Sequence, residues 1–164
     1  SRHSLVLSYW LGFCAVATIL ALVSVVVLYC AGILDQRGFV IWASSLLMEV
    51  WLVVALSLFA AFTLKSAVSS VLASLGFYVL SRMMGFFAAT AQHSVLFSDA
   101  DINSTLQFAI STVSIVIPRL DFFAKTQWLV YGVGQEHLWF ALQGAIYIPL
   151  LLVSAIIDFR RKQF

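Results

Sequence analysis

Two ionisable side chains, Glu49 and Arg82, interrupt stretches of sequence that are otherwise almost free of charge. Glu49 lies roughly 15 Å by helical rise from one end of its apolar run, and Arg82 about 14 Å from the corresponding end of the next. At such a depth an ionisable group needs a partner or a water-filled cavity. The two runs are joined by a tight turn, so equal depth predicts a direct Glu49–Arg82 contact. Three readings stay open for it: a buried structural pair, part of a polar translocation path, or two side chains that merely snorkel.

Other chemistry is scarce. Glu49 is the only acid clearly inside an apolar run, so paired intramembrane carboxylates are not available. No His-Glu-x-x-His, Gly-x-Ser-x-Gly or glycine-rich phosphate loop occurs, so neither an enzyme nor an ATP site is expected. His3, His93 and His137 are scattered without acidic or cysteine partners at ligand spacing, and no metal or other cofactor is expected. Cys14 and Cys30 share one run, separated by roughly 24 Å of helix, too far to bond to each other. Both are expected to be buried, inert thiols.

The elements that must position Glu49 and Arg82 are four apolar stretches, Trp10 to Leu34, Phe39 to Leu64, Ala67 to Ala91 and Leu138 to Ile157. Each is near the roughly 20 residues a helix needs to cross a bilayer, and none shows a strand's strict alternation. Hydrophobic residues make up 63% of the 164 and charged ones 10%, against about 25% charged in a soluble domain. The fold class is therefore all-α: one polytopic membrane domain over residues 1–164, with four transmembrane helices. A net charge of +2 gives no case for nucleic acid as a partner; membrane lipids are the expected surroundings. A chain opening on Ser1 rather than Met is expected to be a fragment with further spans upstream.

Connections are unequal. Asp35-Gln36-Arg37-Gly38 and Lys65-Ser66 are tight turns, which make successive helices antiparallel neighbours. Gln92 to His137 is long and partly apolar. Within it, Leu106 to Ile117 is too short to span, and Pro118 ends it. Pro118 to Tyr131 reads as a short amphipathic helix lying at the outer surface, with Asp121 and Lys125 as an i,i+4 pair and Phe122, Phe123, Trp128 and Tyr131 as interfacial aromatics. Two short, non-spanning outer helices are thus expected between the last two spans. The small residues Ala67, Ser70, Ser74, Ser81, Gly85 and Ala88 form a stripe suited to close helix packing. The Arg160-Arg161-Lys162 cluster directly after a span, together with Arg2 and Lys65, places both termini in the cytoplasm.

The order of these features resembles the C-terminal two-thirds of type-2 ATP-binding-cassette exporter permeases, of the multicopper-enzyme maturation and copper-processing type. The resemblance rests on Ser1-Arg2 followed by Tyr9-Trp10-Leu11-Gly12, with Tyr9-Trp10 where the family has Gly-Lys. It rests also on Ile117-Pro118-Arg119-Leu120-Asp121-Phe122-Phe123, on Tyr131-Gly132, and on the ending Asp158-Phe159-Arg160-Arg161-Lys162-Gln163-Phe164. It implies spans three to six of a six-span permease of a bacterial inner membrane. It further implies two re-entrant outer helices, with Pro118, Asp121 and Phe123 in a gate motif. The implied partners are a second permease copy and a separate ATP-binding-cassette ATPase at the cytoplasmic face. The rival expectation is a non-transporting scaffold or assembly subunit of a membrane complex.

Overall fold

The computed structural model describes residues 2–32, 35–92, 112, 118–132 and 138–161. Among them no strand occurs, and four helices are long and apolar enough to cross a membrane. These are α1 (Arg2–Cys30), α2 (Gln36–Thr63), α3 (Ala67–Gln92) and α5 (Leu138–Arg161). The chain is an all-α, multi-pass membrane protein. Between α3 and α5 lie a 3-10 turn (Leu120–Phe122) and a short helix, α4 (Gln127–Tyr131). The stretch 106–117, apart from Thr112, lies outside the described residues, as do His93 and His137.

Helix α2 is the hub. It packs on α5, α1, α3 and α4, and its buried stripe Gly38, Trp42, Ser45, Glu49 and Leu52 recurs at helical spacing. Its start is fixed by Asp35, whose carboxylate accepts the backbone N–H groups of Arg37 at 3.4 Å and Gly38 at 3.2 Å. Polar tethers then run from α2 to each long neighbour. Trp51 Nε1 donates to Thr18 on α1 at 3.0 Å, Ser70 on α3 donates to the Ala60 carbonyl at 3.2 Å, and Thr63 donates to Asp158 on α5 at 2.7 Å. Such bonds orient helices whose surroundings supply no hydrophobic drive for association.

Cys14 is buried as expected, whereas Cys30 is exposed near the end of α1. Helix α1 has the smallest buried share of the four spans, with 11% of its most apolar window buried.

The segment 118–132 corrects the expectation of one amphipathic helix at the surface. Its 3-10 turn ends at the extended residue Phe123, Ala124 takes a left-handed φ of 46°, and only then does α4 begin. It climbs alongside α2 from deep in the bundle. Pro118 lines a cavity with Leu56, which lies about 30 Å along α2 from Gln36. Ala124 is bonded to Ser45, and the Trp128 carbonyl lies against Gly38. The described stretch lies deep against α2 rather than along the surface. Two of its aromatic residues are anchored inward, Phe140 of α5 meeting the rings of both Phe123 and Trp128 at 5.8 Å, while Tyr131 stays exposed.

Close approach at Gly38 demands glycine, because a Cβ there would collide with the Trp128 backbone carbonyl. Gly76 on α3 has open space instead. Gly38→Ala is therefore expected to cost about 1–3 kcal/mol. Gly76→Ala should be neutral or stabilising by up to about 1 kcal/mol. Thermal unfolding in detergent compares the two, and equal shifts would contradict this docking.

Candidate functional site

Helices α2 and α3 run antiparallel from the Lys65-Ser66 turn, which brings Glu49 and Arg82 to one level, as the sequence predicts. Arg82 Nη1 lies 3.0 Å from Glu49 Oε1. Glu49 is 5% exposed. Its Oε1 also accepts the Tyr78 hydroxyl at 3.3 Å, one turn from Arg82 on α3. The pair is thus a three-member cluster held by two helices.

Arg82 has a second task that equal depth could not reveal. The same Nη1 donates to the backbone carbonyls of Leu120 at 3.0 Å and Phe123 at 3.2 Å. Those carbonyls bracket the 3-10 turn, with both residues fully buried. Irregular backbone at membrane depth persists only where protein or enclosed water satisfies its polar groups. Arg82 supplies that satisfaction, and Glu49 balances its charge. On the α2 side, Ser45 Oγ accepts the Ala124 N–H at 3.0 Å and itself donates to the Trp42 carbonyl at 2.9 Å. This holds Ala124 in a backbone region that non-glycine residues seldom adopt.

Of the residues in the expected gate motif, Pro118 is buried and Phe123 is fully buried against Phe140. Asp121 packs against Gly85 of α3, at a point where a Cβ would meet its carboxylate. Its ionic partner is Arg119, at 2.8 and 3.2 Å, in a two-pronged contact. Asp121 lies in the 3-10 turn and Lys125 precedes α4, so the expected helical i,i+4 relation between them does not exist. Arg119 and Lys125 instead both approach the Phe122 ring, at 4.3 and 5.0 Å from its centroid. In the small-residue stripe, Ser70 and Gly85 serve close packing, while Ala67 is exposed.

Sequence reasoning missed Ser45 and Tyr78. Ser45 stands one turn before Glu49 and Tyr78 one turn before Arg82, so a search at i−4 from each charge would have found both. Ser81 is fully buried, and its hydroxyl has no hydrogen-bond partner among the described residues. No group of side chains suited to a metal ion occurs among the described residues. The arrangement clamps a re-entrant segment; it offers neither a nucleophile with a base nor paired carboxylates. No family model, curated protein or solved structure matches the chain.

Removing Arg82 leaves the buried Glu49 carboxylate with the Tyr78 hydroxyl alone, takes the Arg82 donor from the buried Phe123 carbonyl, and leaves the Leu120 carbonyl with only the Phe123 N–H at 3.0 Å, whereas Glu49→Gln leaves the carbonyl bonds in place. Arg82→Leu should therefore destabilise more than Glu49→Gln, and the double variant should fall short of the sum by about 1–3 kcal/mol. Hydrogen exchange of residues 118–132 is the direct measurement. It should quicken about tenfold or more in Arg82→Leu, corresponding to at least about 1.4 kcal/mol of lost protection. Unchanged exchange would refute the clamp.

Proposed function

We propose that this chain is a permease subunit of an ATP-driven exporter in a bacterial inner membrane, working beside a second permease copy with ATP hydrolysed on a separate subunit. One observation carries the reading. Among the described residues, 40% of the Arg82 side-chain surface stays open although the residue lies mid-span. A guanidinium at that depth is costly against lipid, by about 2.5–3.5 kcal/mol on insertion scales. Water or protein must meet its open side, and a polar path between two permease copies provides both.

In this reading the re-entrant segment bearing Pro118, Asp121 and Phe123 is the gate. Arg82 is its catch and Glu49 the counter-charge that keeps the catch in place. Rocking α3 against α2 would move Arg82 away from its acceptors and free the segment. The chain performs no covalent chemistry; energy comes from the ATPase at the cytoplasmic face. The resemblance noted in the sequence supports this assignment, as does the placement of a re-entrant element between the last two spans.

The full chain is expected to co-purify with an ATPase subunit and raise its turnover. Arg82→Leu should lower the stimulated rate about tenfold, equivalent to about 1.4 kcal/mol, without dissolving the complex. A chain that engages no ATPase would sink the exporter reading and favour the scaffold.

Sidedness is tested separately. Lys65, Arg160 and Arg161 belong to one end of the bundle and Arg37 to the other. The positive-inside rule makes the first end cytoplasmic. Single cysteines replacing Lys65 and Arg37, in a background without Cys14 and Cys30, should react with an impermeant thiol reagent from opposite faces, Arg37→Cys from outside. Labelling of Lys65→Cys from outside would invert the topology.

A further inference from the structure

A groove of about 340 Å³ runs between α2, α3 and α5, with Leu56, Thr63, Phe77 and Leu150 on its walls and Pro118 at its edge. From Thr63 and Leu64, at the α2–α3 turn, it extends inward to the level of Leu56, about 10 Å along α2. Two of its wall hydroxyls have internal partners. The Thr63 hydroxyl donates to Asp158 at 2.7 Å, and the Ser74 hydroxyl to the Ser70 carbonyl at 2.8 Å. Tyr147 also has a partner. Pro118 has no N–H to offer. Water entering the groove would find few hydrogen-bond partners, and an apolar cavity of this kind takes an apolar guest.

The mouth has a different character. Lys65 follows Leu64 directly and is exposed. Arg160 is exposed beside Phe159, whose ring packs on Phe62 of α2 at 5.2 Å. The sequence continues with Arg161 and Lys162. The carboxylate at this rim, Asp158, accepts the Thr63 hydroxyl. Lys65 and Arg160 thus stand at the end of the bundle toward which the slot runs, and an apolar slot with cations at that level matches an acyl chain beneath an anionic phosphate.

We propose that this groove is a binding site for an anionic phospholipid. One acyl chain lies between α2, α3 and α5 with its end toward Pro118, and the headgroup phosphate sits at Lys65 and Arg160. The occupant thereby fills the space beside Pro118. The site is independent of the transport reading, since a scaffold with the same bundle would hold the same lipid.

The test is native mass spectrometry of the full chain released from detergent after incubation with dipalmitoyl phosphatidylglycerol or, separately, dipalmitoyl phosphatidylcholine. Phosphatidylglycerol should be retained at higher occupancy, and the Lys65→Gln, Arg160→Gln double variant should abolish that preference. Ala73 lines the groove yet is exposed on α3, so Ala73→Phe obstructs the slot without disturbing the buried core. It should weaken retention of both lipids about fivefold or more, in the range expected when an apolar pocket is blocked. A variant-free control guards against misfolding: dihexanoyl phosphatidylglycerol, too short to fill the slot, should be retained far less than the dipalmitoyl form. Equal retention of long and short chains, or equal retention by Ala73→Phe, would overturn the chain site. Equal retention of the two headgroups by the unaltered protein would overturn the cationic rim.

Discussion

The bond from Arg82 to the carbonyls of Leu120 and Phe123 is the interaction on which the centre of this bundle depends. A helix satisfies its own backbone and can be apolar all round, but a 3-10 turn followed by an extended residue cannot. Placed among four apolar spans, such a turn survives only if a side chain supplies the missing donors. A neutral donor would satisfy one carbonyl at a modest net gain; a charged one gives stronger bonds and can be shared among acceptors. The charge then needs its own answer. Glu49 provides it from α2, with Tyr78 as the third member. The ion pair is thus better understood as the support of a buried irregular backbone than as a stabilising contact in its own right, since burying two charges costs about as much as their attraction returns.

That dependence explains why one face of α2 is built from residues of such different kinds. Asp35 fixes where the helix begins, Gly38 admits the Trp128 carbonyl, Ser45 receives the Ala124 N–H, and Glu49 holds Arg82. They stand three, seven and four residues apart, close to whole helical turns, so they form one stripe along which 118–132 lies. Bulk at Gly38 or loss of the hydroxyl at Ser45 would leave the segment with the right composition and no seat. The aromatic contacts of Phe123 and Trp128 with Phe140 add apolar burial from the α5 side, but they carry no register. Register comes from the polar contacts with α2 and α3.

Much of this was legible in the sequence, and the limits have physical causes. The four spans follow from uninterrupted apolar length, because nothing else in a chain this apolar can satisfy its backbone in lipid. The Glu49–Arg82 contact follows from a short turn and equal helical rise. The depth of 118–132 does not follow, because aromatic residues mixed with Arg119, Asp121 and Lys125 suit a membrane interface and a protein-lined interior equally well. Charges in that segment are tolerated at depth through local pairing, Arg119 with Asp121, and through the face of Phe122. Composition reports that such groups are present; only the fold reports that they face protein. The exposure of Cys30 and the break in the expected helix at Ala124 belong to the same class, being set by neighbours distant in sequence.

The distribution of tethers also divides the bundle mechanically. Arg82 sits on α3 and holds both α2 and the re-entrant segment, so α3 cannot slide past either without breaking bonds to a buried carboxylate and two buried carbonyls. Helix α5 is tied to α2 through Thr63–Asp158 and to the segment through Phe140. These elements therefore move together or lose several buried contacts at once, which is the property of a two-position element rather than a continuously yielding one. Helix α1 differs, with few buried residues and Trp51–Thr18 as its described polar tie to α2. Few polar ties leave a helix freer to shift than one held through buried charges and carbonyls. Relative motion within the chain thus divides naturally between a small displacement of α1, at low cost, and a concerted release of α3 and the segment through the Arg82 clamp.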